Sequence, residues 1–234
     1  MKRALLAGVA VFAMAPAANA ASVLIDGFDS QQRAIDVASG LESMFSEIND
    51  PSVLGEYRDI SASNDNGTVE GTEVRVFNSA LAFSNIAFES GEGFLTYDGQ
   101  DGSMAVNTTG LGGFDLTFGG LGTGFEYEVI QADAELGFTV EAYDMVGGFS
   151  SFMTVLPETL TTQTFTGSFD QFMGDADLTN LGALRFIASS RGVPNIDAAI
   201  GSISVSIIPL PAGVFLLGGA LLGLGAAARR RKAA

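Results

Sequence analysis

The 234-residue chain contains no cysteine, no histidine and no tryptophan. Without cysteine there is no disulfide, and without cysteine and histidine the usual ligands of zinc, copper and haem are missing. The same absences exclude Ser-His-Asp and Cys-His catalysis. Any bound metal is therefore expected to be a hard cation held by oxygen, and calcium is the natural candidate.

Basic residues are also scarce between positions 21 and 207. That segment has no lysine, and its five arginines face all 27 acidic residues of the chain, which gives a formal net charge of −22. Such a charge repels nucleic acid and anionic lipid, so no nucleic-acid partner is predicted. It suits a saline medium or divalent cations, although a solvated acidic surface explains it equally.

The N-terminus has the pattern of a secretory signal peptide. Lys2 and Arg3 precede a short apolar run, and Ala18 and Ala20 form an Ala-x-Ala cleavage site. The sequence thus predicts a signal peptide over residues 1–20, export, and a mature chain that begins at Ala21.

The C-terminal segment 208–234 has three parts. It begins with a short proline motif, continues as an uncharged apolar run that is just long enough to span a bilayer, and ends in a basic cluster. The motif is Ile208-Pro209-Leu210-Pro211-Ala212-Gly213, and the cluster is Arg229, Arg230, Arg231 and Lys232. The cluster predicts a cytoplasmic C-terminus, so residues 21–207 would face the periplasm from the inner membrane.

This tail resembles the sorting signal of bacterial PEP-CTERM-type proteins, in particular the variant with a Val-Pro-Leu-Pro-Ala motif, here with Ile208 at the first position. The resemblance implies that an exosortase, a membrane-embedded cysteine transpeptidase, cuts near the motif and that the protein then reaches the cell surface or extracellular matrix. A plain membrane anchor is the alternative.

The segment 21–207 has the pattern of an all-β domain. Short apolar or alternating runs recur about every ten residues with Gly, Asn and Asp between them, and no long segment has a helical period. We predict one antiparallel β-sandwich. The predicted strands are 22–29, 53–62, 72–78, 80–88, 93–99, 115–118, 125–130, 136–144, 150–156, 163–169, 183–189 and 200–208.

Short motifs in this domain look like those of the β-sandwich body of many PEP-CTERM proteins. They include Gly55 to Ile60, Tyr97-Asp98-Gly99, Phe169 to Phe172 and Asp177 to Phe186. More loosely, they are similar to jelly-roll carbohydrate-binding and galactose-binding-like modules. The resemblance implies a jelly-roll-like sandwich and, because such folds host many functions, little about activity.

The candidate calcium ligands are Asp26 and Asp29, at the end of the first strand, and Asp197, before the last strand. Calcium often lies between those strands in the modules that the chain resembles. The alternative is that all three are ordinary turn residues. Asn64 to Gly67 and Asp98 to Gly102 have the composition of calcium loops but not the EF-hand spacing, so we interpret both as turns.

The candidate sugar-binding platforms are the four tyrosines Tyr57, Tyr97, Tyr127 and Tyr143. Aromatic residues in strands are, however, more often part of the core. Carboxylate pairs are numerous, but no motif assigns two of them to glycoside hydrolysis, so the protein is not predicted to be an enzyme.

The sequence therefore predicts a structural or adhesive protein that associates with exopolysaccharide. A calcium-dependent carbohydrate-binding module is the alternative, and a glycan hydrolase comes third.

Overall fold

The computed structural model describes residues 21–37, 44–65, 71–86 and 88–208, and residues 21–208 form one compact unit. Several predictions fall outside the described residues. These are the signal peptide with Ala18 and Ala20, the motif residues Pro209, Leu210, Pro211, Ala212 and Gly213, the apolar run, and Arg229, Arg230, Arg231 and Lys232. Within the described residues, no helix is long and apolar enough to cross a membrane.

The described chain is all-β, as the sequence predicts. Its strands are β1 Ala21–Asp26, β2 Gln32–Asp36, β3 Phe45–Asn49, β4 Tyr57–Asn64, β5 Thr72–Val76, β6 Leu81–Asn85, β7 Gly91–Tyr97, β8 Gly122–Ala132, β9 Leu136–Asp144, β10 Phe149–Leu156, β11 Gln163–Ser168, β12 Met173–Gly174, β13 Leu181–Ser189 and β14 Asp197–Ile207. Two 3₁₀ turns lie at Leu54–Glu56 and Phe169–Gln171.

These strands form two antiparallel sheets of seven strands each. The first sheet has the order β11-β8-β14-β6-β5-β2, and β1 pairs with the second half of β14. The second sheet has the order β12-β10-β9-β13-β7-β4-β3. Every strand pair is antiparallel, so alternate side chains of each strand point to opposite faces.

The core lies between the two sheets and is rich in aromatic rings. Phe125 and Tyr127 of β8 meet Phe138 of β9 and Phe186 of β13, with ring centroids 5.0–6.4 Å apart. All four side chains are essentially buried. The alternation Phe-Glu-Tyr-Glu in β8 places the rings inside and Glu126 and Glu128 outward, as its period of two predicts.

The structure corrects one predicted strand and contains three strands where the sequence predicts none. The predicted strand 115–118 is a turn, because the Asp115 carboxylate accepts hydrogen bonds from the backbone N–H groups of Thr117 and Gly119. The strands outside the prediction are β2, β3 and the two-residue β12.

Candidate functional site

The outer face of the second sheet carries a row of polar residues. Antiparallel register places Glu47 of β3 beside Asp59 of β4, then Thr96 of β7, Arg185 of β13 and Glu141 of β9. Their neighbours along each strand, such as Ile60, Leu95, Tyr97, Phe186 and Val140, are buried in the core. The five side chains therefore share the face opposite the core.

At one end of this row, three carboxylates converge. One oxygen each of Glu47, Asp59 and Asp101 lie within 4.8 Å of one another. Asp101 comes from the loop after β7, and this loop folds back onto β3, where the Glu47 carboxylate accepts the backbone N–H groups of Asp101 and Gly102 at 2.9 and 2.7 Å.

Asp59 is the most unusual member of this group. The residue is 4% exposed, and neither of its oxygens accepts a hydrogen bond from an N–H or hydroxyl group. Its carboxyl group lies within hydrogen-bonding reach of that of Asp98. Burial, and then the negative charges of Asp98, Glu47 and Asp101, raise its pKa to about 8. At neutral pH this carboxyl group therefore holds a proton unless a cation replaces it.

Asp98 extends the cluster by one more buried carboxyl group. It follows β7 and is 1% exposed. Its Oδ2 accepts the backbone N–H of Asn107 at 2.7 Å, whereas its Oδ1 accepts no hydrogen bond from an N–H or hydroxyl group. Burial raises its pKa to about 6, partly offset by that hydrogen bond. We call Glu47, Asp59, Asp98 and Asp101 the acidic cluster.

Next to the acidic cluster, a groove of about 280 Å³ opens on the same face. Its lining combines hydroxyl groups, apolar side chains and one guanidinium: Ser61, Ser63, Phe94, Thr96, Met104 and Arg185. A surface of this kind offers hydrogen-bond donors and acceptors beside apolar contact area.

Arg185 is held in place in this groove. Its Nε donates to Glu141 Oε2 at 2.7 Å and its Nη2 donates to Tyr143 Oη at 3.2 Å. Its guanidinium carbon lies 5.6 Å from the Phe94 ring centroid and 6.0 Å from that of Tyr143. Burial and the hydrogen bond that Tyr143 donates to Glu141 raise the pKa of the Tyr143 phenol to about 12, so Tyr143 stays neutral.

The four candidate tyrosines have different environments. Tyr97 and Tyr127 are fully buried, so their rings are inaccessible to a ligand. Tyr97 donates to Asp26 Oδ2 at 2.7 Å. Tyr57 and Tyr143 are half-buried, and the Tyr143 ring packs 5.0 Å from that of Phe149, which is also partly exposed. Only these two tyrosines remain accessible platforms.

The structure does not bring Asp26, Asp29 and Asp197 together as a calcium site. Asp26 pairs with Ile203 on β14, six residues from Asp197 and thus about 20 Å along the strand. Asp26 is buried in an ion pair with Arg58, with Nη1 and Oδ2 2.8 Å apart. Asp29 accepts from the Ser79 hydroxyl and Asp197 from the Ser84 hydroxyl.

Comparison with known proteins adds a fold likeness only. No protein-family model matches the chain, and no curated protein does. Among solved structures, a family 11 carbohydrate-binding module of a Clostridium thermocellum cellulosomal cellulase is 10% identical, with a TM-score of 0.43, over 82% of this chain and 97% of that one. A family 29 carbohydrate-binding module complexed with mannohexaose is 11% identical, with a TM-score of 0.40, over 81% and 93%.

An agarase is 11% identical, with a TM-score of 0.45, over 80% of this chain and 25% of that one. The protein PfGH50B is 12% identical, with a TM-score of 0.42, over 64% of this chain and 23% of that one. The chain thus spans about a quarter of the length of these two proteins. Likenesses at these identities and TM-scores carry no argument about ligand or activity.

Proposed function

We propose that the protein is an exported, non-catalytic β-sandwich that associates with exopolysaccharide through the groove around Arg185. The observation that carries this proposal is a guanidinium that is held by hydrogen bonds close to the rings of Phe94 and Tyr143. Arg185 has five N–H donors in a planar fork, and Glu141 and Tyr143 hold that fork in position before a ligand arrives. A pre-ordered donor loses less conformational entropy when it binds a sugar hydroxyl.

The surroundings of Arg185 also suit a carbohydrate. Ser61, Ser63 and Thr96 supply hydroxyl groups, and Phe94 and Met104 supply apolar area for the C–H faces of a sugar ring. The net charge of the domain argues for the same choice of ligand, because nucleic acid and anionic lipid would be repelled.

The test is co-sedimentation of the full-length protein, purified in a non-ionic detergent, with the exopolysaccharide of its host. We expect Arg185→Met to weaken binding at least tenfold, since it removes the oriented donor. Arg191→Met is the matched control, because Arg191 is an exposed arginine outside the groove. Equal binding by wild type and Arg185→Met would contradict the proposal.

A glycan hydrolase is the second candidate, and one observation favours it. Asp59 and Asp98 are neighbouring carboxyl groups with raised pKa values, a property of general acids in glycosidases. Release of reducing ends from the same polysaccharide, abolished in Asp59→Asn, would replace the binding proposal with this one.

For targeting, we propose that residues 1–20 direct export and that the tail 208–234 is processed by an exosortase-type transpeptidase. The protein would first be anchored in the inner membrane, facing the periplasm, and then be delivered to the cell surface or extracellular matrix. The support is the order of proline motif, apolar run and basic end in the sequence. A plain anchor is the alternative.

A further inference from the structure

The acidic cluster needs a positive charge that none of its own side chains supplies. Oxygens of Glu47 of β3, Asp59 of β4 and Asp101 of the loop after β7 lie within 4.8 Å of one another, and the Asp98 carboxyl group adjoins that of Asp59. Asp59 and Asp98 are almost completely buried. Neither oxygen of Asp59 nor Oδ1 of Asp98 accepts a hydrogen bond from an N–H or hydroxyl group. A buried, ionised carboxylate without a partner is strongly unfavourable, so a proton or a cation has to compensate it.

We propose that Glu47, Asp59, Asp98 and Asp101 bind one Ca²⁺ ion. Calcium takes six to eight oxygen ligands, and four carboxylates supply at least six when two or more of them bind through both oxygens. Oxygens of Glu47, Asp59 and Asp101 that lie within 4.8 Å of one another can share one ion, because two Ca–O bonds of about 2.4 Å span that distance. Mg²⁺ usually keeps several of its waters and binds through only one or two carboxylates, so a site of four carboxylates favours Ca²⁺.

The ion would join elements that are distant in sequence. Glu47 lies on β3, Asp59 on β4, and Asp98 and Asp101 on the loop that borders the groove. This site differs from the one expected from the sequence, because it uses none of Asp26, Asp29 and Asp197. It does not depend on the proposed sugar binding, since calcium binding is measured without any polysaccharide.

The test is isothermal titration of the full-length protein, in non-ionic detergent at pH 8, with CaCl₂ after removal of divalent ions. We expect one site with a Kd of about 10⁻⁵–10⁻³ M. Asp59→Asn should weaken binding at least 100-fold, because it removes the central ligand charge. Glu158→Gln removes one charge from an exposed loop residue and should leave the Kd within twofold.

Thermal unfolding separates a lost site from a misfolded protein. With calcium at 100 times its Kd, the Tm of the wild type should rise by roughly 5–10 °C, and that of Asp59→Asn should not change. In chelator at pH 8, Asp59→Asn should melt no lower than the wild type, because it replaces a buried carboxylate that no N–H or hydroxyl group stabilises with a neutral amide. Asp101→Asn, at an exposed position, should also weaken binding at least tenfold.

Three results would overturn the proposal. One is the absence of saturable binding to the wild type, which would leave the cluster as carboxyl groups that share protons. Another is unchanged calcium affinity in both Asp59→Asn and Asp101→Asn. The third is Mg²⁺ binding as tight as Ca²⁺ binding, which would contradict the choice of ion. Failure of polysaccharide binding alone would leave the calcium site standing.

Discussion

At the scale of single residues, Arg58 shows how one buried charge organises its surroundings. Its side chain is fully buried and points into the molecule from β4. Nη1 pairs with Asp26, Nε donates to Gln32 Oε1 at 2.8 Å, and Nη2 donates to the Ser30 carbonyl. The guanidinium thus ties β4 to β1, to β2 and to the segment between them.

Arg58→Met should therefore destabilise the protein by about 3–5 kcal/mol, because Asp26 would keep its buried charge and lose its counter-ion. The free energy of unfolding in denaturant measures this. Arg75→Met is the control, since Arg75 is half-exposed and its contact with Glu73 is 3.6 Å long; it should cost less than about 1 kcal/mol. Equal losses of unfolding free energy in Arg58→Met and Arg75→Met would contradict the role of burial.

Asp59 should make stability depend on pH. Its folded-state pKa of about 8 exceeds the usual value of 3.8. Between these values the folded state keeps a proton that the unfolded state has lost, so stability without calcium should fall as pH rises from 4 to 8. The negative charges of Glu47, Asp98 and Asp101 face Asp59 and oppose its ionisation. The positive charge of Arg185 favours the ionised form of Asp98 and lowers its pKa.

The measurement is denaturant unfolding in chelator at several pH values for wild type, Asp59→Asn and Glu158→Gln. In the wild type, Asp59 should lower the free energy of unfolding by at most about 1.4 kcal/mol for each pH unit of increase. This pH dependence should be missing in Asp59→Asn and present in Glu158→Gln. Saturating calcium should remove the same pH dependence from the wild type. Identical pH profiles for wild type and Asp59→Asn would exclude a proton on Asp59.

At the scale of elements, the connection of residues 98–121 between β7 and β8 contributes to both proposed sites, because it carries Asp98 and Asp101 of the acidic cluster and Met104 of the groove. It has no strand of its own, but it is not loosely attached. Backbone N–H groups of Leu111, Gly113 and Phe114 donate to carbonyl groups at the start of β13. Gly110 lies directly against the Asp98 carbonyl group.

Gly110→Ala should disturb this packing. A Cβ atom at position 110 would lie 1.5 Å from the Asp98 carbonyl oxygen, so the loop backbone would have to move. We expect a cost of about 1–3 kcal/mol in unfolding free energy and weaker calcium binding. Gly27→Ala is the control, since its Cβ would make an ordinary contact at 3.5 Å. Unchanged stability and calcium affinity in Gly110→Ala would contradict this.

The elements also show where sequence periodicity is informative. β9 and β8 alternate buried and outward residues, and both were predictable from a period of two. β3, with sequence Phe-Ser-Glu-Ile-Asn, lies at the edge of its sheet and has no fully buried residue, so it carries no such signal. Leu116 is buried within a turn, which explains why an apolar residue suggested a strand there.

At the scale of the whole molecule, the acidic net charge and the two terminal segments are all consistent with the hypothesis that the protein is exported. If the tail is a sorting signal, the protein recovered from the surface of its host should lack Arg229 to Lys232. Mass spectrometry of its C-terminus tests this prediction. A Pro209→Ala, Pro211→Ala double variant should retain the tail, and an intact tail on the exported wild type would contradict sorting.

The all-β class could be predicted without a structure, because alternation of apolar residues depends only on local spacing. The sequence also determined that a metal site here has to use oxygen ligands, because cysteine and histidine are absent. Even the turn Asp98 to Gly102 was visible in the sequence, although nothing local distinguished it from other Asp-Gly turns.

Which carboxylates lie close together depends on how distant strands pair. Glu47, Asp59, Asp98 and Asp101 come together through the register of β3 with β4 and of β4 with β7, and through a loop that folds back onto β3. The pairing of β1 with β14 places Asp26 opposite Ile203, away from Asp197, and Asp26 forms its ion pair with Arg58. Pairing between distant strands sets these distances, and neither composition nor spacing along the chain contains that information.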